Sequence, residues 1–185
     1  MPKTTSGAHS KGVLVLDEST DSGFYLMHSV PTYPEFKANG EIDITLPSSG
    51  VTFAQHFLCV SLTGAQINHF ATTAMLANFN VYYSTANSTK YQNFTVLADK
   101  KASDKIRRKL PRMGMTEFQI GNEHMTYFVK DAKHGELLWD DIVTRYYEQN
   151  IVTATWRRPG LEPVCSDGMN VPNVENIESI TISLD

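Results

Sequence analysis

The chain has 185 residues, 41% of them hydrophobic and 19% charged, an ordinary composition for one folded domain with a sizeable core. A formal charge of −4 with neutral histidines is not that of a general polyanion binder, and no apolar run approaches a membrane span. Six histidines qualify the first point: protonating all of them would reverse the sign of the charge, so polyanion binding strengthens in mild acid.

Residues 1–8 are polar, lack the apolar stretch of a signal peptide and read as a flexible leader. From His9 the pattern changes. Val13 to Leu16 read as a buried strand and Phe24 to Val30 as its partner, with the polar, turn-forming stretch from Asp17 to Gly23 between them. Side chains alternate along a strand, so His9 and Lys11 share a face. That pairs an imidazole, able to act as nucleophile or acid, with a cation able to hold a phosphate. The return strand brings His28 level with Gly12 or Val13, and a slip of one residue would turn it to the other face.

Prolines 31 and 34 make the next stretch irregular, and residues 35–50 read as a loop with at most a short strand at 41–46. Val51 to Leu62 reads as a strand. Thr63 and Gln66 then fit a capping box, opening an amphipathic helix to about Asn78 on Ile67, Phe70, Ala71 and Ala74. His69, beside that stripe, is expected to pack rather than react. Val81 to Tyr83 reads as a short strand. Asn87-Ser-Thr and Asn93-Phe-Thr have the form of N-glycosylation acceptors. Lys100 to Arg112 holds seven basic residues against Asp104, and reads as a solvated loop or as an arm that tracks phosphates. Strands pair across Gly121-Asn122 within 116–130. Residues 131–150 turn helical, with Leu138, Ile142 and Tyr146 in one row and Trp139, Val143 and Tyr147 beside it, more as core than as a base-stacking platform. Further strands are expected at 151–158 and 176–184. The interleaving gives an α/β (mixed α+β) class with a mixed sheet.

The histidines at 9, 28, 56, 69, 124 and 134 show no metal-ligand spacing, and there is no phosphate-cradling glycine loop or nucleophile elbow. No metal and no cofactor is expected. Cys59 and Cys165 are two free thiols or one long-range disulfide.

The wording of His9-Ser-Lys11-Gly-Val-Leu-Val-Leu-Asp17 and of Gly23-Phe-Tyr-Leu-Met-His28-Ser-Val-Pro31 resembles the deoxyribonuclease II family, a branch of the phospholipase D superfamily. Further likeness lies at Gln55 to Ser61, Phe128 to Trp139, Thr155 to Arg158 and from Cys165, so the resemblance covers nearly the whole chain, least at 80–125. It implies a phospholipase-D-like sheet flanked by helices, with residues 9–185 a partial domain, incomplete relative to the family fold. It also implies acid, metal-independent cleavage of the DNA backbone without sequence preference, leaving 3′-phosphate ends. Two His-x-Lys motifs from two pseudosymmetric halves share that chemistry. One histidine attacks phosphorus, the other protonates the leaving 5′-oxygen, and lysines neutralise the non-bridging oxygens. Carried over residue by residue, His9 is catalytic, Lys11 binds phosphate and His28 supports the active site. His9-Ser-Lys11 is the single His-x-Lys of this sequence; the family's second would follow the strand at 176–184. The second half-site is expected from the rest of a longer protein or from a second copy in a homodimer. The alternative reading is a catalytically inactive secreted binding protein on the same scaffold. The resemblance further implies a secreted or lysosomal glycoprotein without membrane attachment. It also implies that Cys59 and Cys165 sit at positions disulfide-bonded to partners outside this region.

Overall fold

Two apolar alternations joined by a polar turn make a hairpin, and the hairpin carries the sheet. The computed structural model describes residues 11–52, 55–131, 133–153 and 172–177. Strand β1 (Lys11–Asp17) pairs antiparallel with β2 (Ser22–His28) through seven residue pairs, from Lys11↔His28 to Asp17↔Ser22. The Asp17 carboxylate closes the turn, accepting hydrogen bonds from the Ser19 backbone N–H (2.9 Å) and hydroxyl (2.6 Å). Beyond it, β3 (Glu35–Phe36) and β4 (Ile42–Asp43) form a minimal hairpin across Asn39-Gly40, where Gly40 takes φ +85°. After α1 (Ser48–Thr52), β5 (Phe57–Thr63) adds to the open edge of β2, giving the order β1-β2-β5.

One face of this sheet is the core. Leu14 and Leu16, Tyr25 and Met27, and Val60 and Leu62 stand on it. It is covered by α2 (Gly64–Ala74), which presents Ile67, Phe70 and Ala74 at helical spacing. The capping box is formed as expected: the Gln66 backbone N–H donates to the Thr63 hydroxyl (3.2 Å), and the Thr63 N–H donates to the Gln66 side chain (2.8 Å). A 3-10 turn (Met75–Ala77) and Asn78 at φ +54° end the helix. A second hairpin, β6 (Met113–Ile120) and β7 (Glu123–Lys130), packs against α2 through Phe118 and Tyr127. Phe70 joins the layers, with ring centroids 4.5 Å from Tyr25, 4.8 Å from Tyr127 and 6.0 Å from Phe118. Helices α3 (Gln92–Ala98) and α4 (Lys100–Arg107) lead into the second hairpin.

Several expectations are corrected. The strand expected from Val51 begins at Phe57, because Pro47 accepts hydrogen bonds from the N–H groups of Gly50 (2.7 Å) and Val51 (3.3 Å) and starts α1 instead. Val81 to Tyr83 is not a strand: Tyr83 stacks on Phe36 with centroids 4.1 Å apart, and the Tyr82 hydroxyl donates to the Tyr33 carbonyl (3.1 Å). His69 is exposed, away from the buried stripe of α2. The basic run is a helix rather than a loop, because Asp99 caps the N–H groups of Lys101 (2.9 Å) and Ala102 (3.2 Å).

The chain divides into two compact units, residues 1–132 and 133–185. In the second, the helical stretch is shorter than 131–150: a π-helical segment (Leu138–Val143) runs into α5 (Thr144–Tyr147). Ile142 and Val143 are buried, while Tyr146 and Tyr147 stay at the surface. Strands β8 (Ile151–Thr153) and β9 (Val174–Asn176) pair in parallel. β8 is the described part of the strand expected at 151–158, whereas β9 meets the one expected at 176–184 only at Asn176, and Ile177 is not in a strand. Residues 154–158 and 178–184 lie outside the described ones. Small sheets and several helices make a mixed α/β chain, and no described helix is long and apolar enough to cross a membrane.

Phe70 is only 2% exposed at the junction of three elements, so Phe70→Ala should cost about 3–5 kcal/mol. Urea denaturation of the two proteins, followed by far-ultraviolet circular dichroism, measures this; a loss below about 1 kcal/mol would mean that Phe70 does not join the layers.

Candidate active site

The face of the sheet turned away from α2 carries Lys11, Val13 and Val15 from β1, Leu26 and His28 from β2, and Phe57 and Cys59 from β5. Lys11 and His28 are directly opposite, which corrects the expectation that His28 stands level with Gly12 or Val13. Directly opposed residues share a face, with Cβ atoms about 4.5–5.5 Å apart. The four-residue turn 18–21 and the Asp17↔Ser22 pair set this register from the far end of the ladder. Gly12 is needed beside the lysine: a Cβ there would lie 2.5 Å from the Tyr25 ring and 2.8 Å from the Leu26 carbonyl oxygen.

His28 is 3% exposed. Its imidazole stacks on Phe57 (centroids 5.7 Å, 27° between planes) and meets Tyr33 edge-on (5.4 Å, 85°), while Tyr33 meets Phe57 at 5.6 Å. The turn after β2 delivers Tyr33: Thr32 takes φ +52° and the Tyr33–Pro34 peptide is cis. Ser29 clamps the approach to β5. Its backbone N–H donates to the His56 carbonyl (3.2 Å), its hydroxyl donates to Gln55 Oε1 (2.5 Å), and that hydroxyl accepts from the His56 N–H (3.0 Å). Buried Val30 follows, 3.2 Å from where a Cβ on Gly50 would stand.

The electrostatics follow from this cradle. Burial holds the His28 imidazole below its ordinary range; the Lys11 charge and, more weakly, His56 push the same way, and the polar Val30 backbone opposes them. Burial also lowers Lys11. Among the described residues His28 Nδ1 is buried with no hydrogen-bond partner, a costly state.

Of the expected site residues, Lys11 and His28 are brought together, and His9 lies outside the described residues. Asp17 is six residues along β1 from Lys11, about 20 Å at strand rise, and its carboxylate, lowered by the Ser19 bonds, serves the turn. Sequence reasoning missed His56, Tyr33 and Phe57 as neighbours of His28. The signal available for His56 was its place immediately before β5, but only the Ser29 clamp brings it to the site. Cys59 is an exposed free thiol, and Cys165 lies outside the described residues. Among the described residues no group of three or more His, Cys, Asp or Glu side chains is placed to hold a metal ion.

The model of the family described as Deoxyribonuclease II matches residues 1–184. The chain belongs to the deoxyribonuclease II family. Deoxyribonuclease-2 of Caenorhabditis elegans is 26% identical over 84% of this chain and 40% of its own length. Deoxyribonuclease-2-alpha of Mus musculus is 28% identical over 92% of this chain and 48% of its own. Cell-death-related nuclease 7 of Caenorhabditis elegans is 24% identical over 80% and 39%. This deoxyribonuclease II family chain thus spans less than half the length of these relatives, and no solved structure matches it significantly. The relatives it matches are named as deoxyribonucleases and nucleases.

A pH dependence of stability follows. The folded-state pKa of His28 lies below the ordinary value of 6.5, so the unfolded chain binds more protons. His28 therefore costs stability once the pH falls below about 6.5, and increasingly until the pH passes its folded-state value. Thermal melts from pH 7 to pH 5 should show a smaller loss in His28→Phe than in the native chain; equal losses would refute the assignment.

Proposed function

We propose that the face bearing Lys11 and His28 is one half-site of an acid endodeoxyribonuclease that hydrolyses DNA phosphodiesters without sequence preference and leaves 3′-phosphate ends. The observation that carries this reading is the direct opposition of Lys11 to a buried imidazole with an unpartnered nitrogen. His9, two residues before Lys11, is assigned as the nucleophile by its place in the His-x-Lys motif that resembles the family's. In the first step an imidazole nitrogen of His9 attacks phosphorus, a P–N bond forms, and the P–O5′ bond breaks. The 5′-oxygen takes a proton from a histidine of the second half-site. Water then hydrolyses the P–N bond, releasing the 3′-phosphate and the free imidazole. Lys11 neutralises a non-bridging oxygen throughout, and His28 orients and supports the phosphate.

The electrostatics favour acid. A phosphodiester at Lys11 cancels much of the positive charge that disfavours protonated His28, so backbone binding and His28 protonation reinforce one another. We place the sheet in a phospholipase-D-like fold whose second half-site comes from a further part of the protein or from a second copy, with residues 9–185 as the partial domain. The family chemistry uses neither metal nor cofactor, and the protein belongs to a secreted or lysosomal setting. There Asn87, exposed in an irregular stretch, is the better glycan acceptor. At Asn93, inside α3, the backbone N–H donates to Asn68, and the Thr95 hydroxyl is bonded to the Ser88 backbone.

Plasmid nicking at acid pH in EDTA, assayed on fractions of defined mass, tests the proposal. Activity is expected in species holding two half-sites. It should fall by on the order of 10²–10⁴-fold in His9→Ala and also drop in Lys11→Ala, with melting transitions kept. Robust nicking by a demonstrated monomer of this chain, or full activity in either variant, would defeat it.

A further inference from the structure

We propose that the exposed face of α4 is a second, non-catalytic binding site for the phosphate backbone of double-stranded DNA. This rests on the reading that the protein acts on DNA, but not on the chemistry assigned to Lys11 and His28.

Six of the seven cations from Lys100 to Arg112, those up to Lys109, separate into two groups once folded. Lys100 pairs with Asp104 (3.0 Å), and Arg107 pairs with Asp104 (3.4 Å) and Asp131 (2.9 Å), so these two cations and Asp104 compensate one another. Lys101, Lys105, Arg108 and Lys109 are different. All four are exposed, and their side chains carry no hydrogen bond or ion pair among the described residues; Lys101, Lys105 and Arg108 follow the i, i+4, i+7 spacing of one helical face, and Lys109 stands in the turn just beyond α4. With Asp104 they line an open hollow of about 410 Å³.

The backbone under this array is well ordered. The Arg108 N–H donates to the Asp104 carbonyl (3.3 Å), Lys109 to Ile106 (2.8 Å) and Leu110 to Arg107 (3.2 Å). Buried Ser103 holds the opposite side.

Helix stabilisation accounts for only part of the arrangement. Cations at the last turn favour a helix, and Lys105, with Arg108 and Lys109 just beyond it, fits that role. Lys101 does not: it stands in the first turn, where the helix dipole repels a cation and where the capping Asp99 bonds backbone N–H groups. The four like charges also repel one another, in a chain whose net charge is −4. An array unpaired and open to solvent fits a polyanion. From Lys101 to Arg108 the helix rises about 10 Å, matching about three phosphates of one strand at about 3.4 Å each along the duplex axis. The lining set has no aromatic side chain to stack bases, which favours a duplex over a single strand.

The test is fluorescence anisotropy of a labelled 20-base-pair duplex with the full chain across a salt series. A quadruple Lys101→Ala, Lys105→Ala, Arg108→Ala, Lys109→Ala variant should bind more weakly on every sequence, with the log–log salt slope reduced by about 3–4. Alanine favours helix, and circular dichroism should show α4 kept. A variant with the three lysines changed to arginine should bind as the native chain does. Unchanged affinity and slope in the alanine variant would overturn the proposal. So would α4-dependent binding to phosphatidylserine vesicles without binding to the duplex, which would make the face a membrane contact. If nicking fails in every fraction while the salt slope still depends on these four residues, the nuclease reading falls and this one stands.

Discussion

The site depends on one register. Lys11 and His28 occupy one face because β1 and β2 align from Asp17↔Ser22 upward without a bulge. A shift of one residue would put His28 against α2 and expose Met27 in its place. The hairpin resists that shift because its two faces differ. Leu14, Leu16, Tyr25 and Met27 belong to the core around Phe70, while the Lys11 face carries a lysine, a histidine and half-exposed aliphatics. The apolar contacts with α2 therefore hold the geometry of a site on the opposite side of the sheet. Gly12, which gives the Tyr25 ring its room, belongs to the same device.

Within the site, burial and charge oppose protonation of His28. Phe57 and Tyr33 cover an imidazole and Lys11 faces it, so the proton is disfavoured twice. Such a group is stable as the neutral form and becomes a cation when acid or a bound anion supplies the reason. On the proposed reading, the stability cost in acid and a gain in affinity for phosphate are two consequences of one lowered pKa.

The hairpin, the capping box at Thr63, the helix on Ile67 and Phe70 and the turn at Gly121 were legible because local patterns specify them. So was the pairing of Lys11 with the His28 strand, to within one residue. What escaped depends on distant contacts. Tyr82 and Tyr83 look like strand residues until Tyr33 and Phe36 claim them, and the residues from Val51 look extended until Pro47 starts a helix. The basic run hid its helix because its repeated lysines mask the Asp99 cap and the Lys100–Asp104 pair. Nothing in the order of residues links Ser29 to His56, 27 positions on, though that clamp brings His56 to the site.

The coupling between Lys11 and His28 is open to direct measurement. The His28 pKa is read from imidazole proton or nitrogen shifts in a nuclear magnetic resonance titration of the native chain and of Lys11→Met. The native value should lie below 6.5. It should rise in Lys11→Met, where the facing charge is gone, yet remain below 6.5 because the burial by Phe57 and Tyr33 persists. An unchanged His28 pKa in Lys11→Met would contradict the shared face, and with it the half-site built on it.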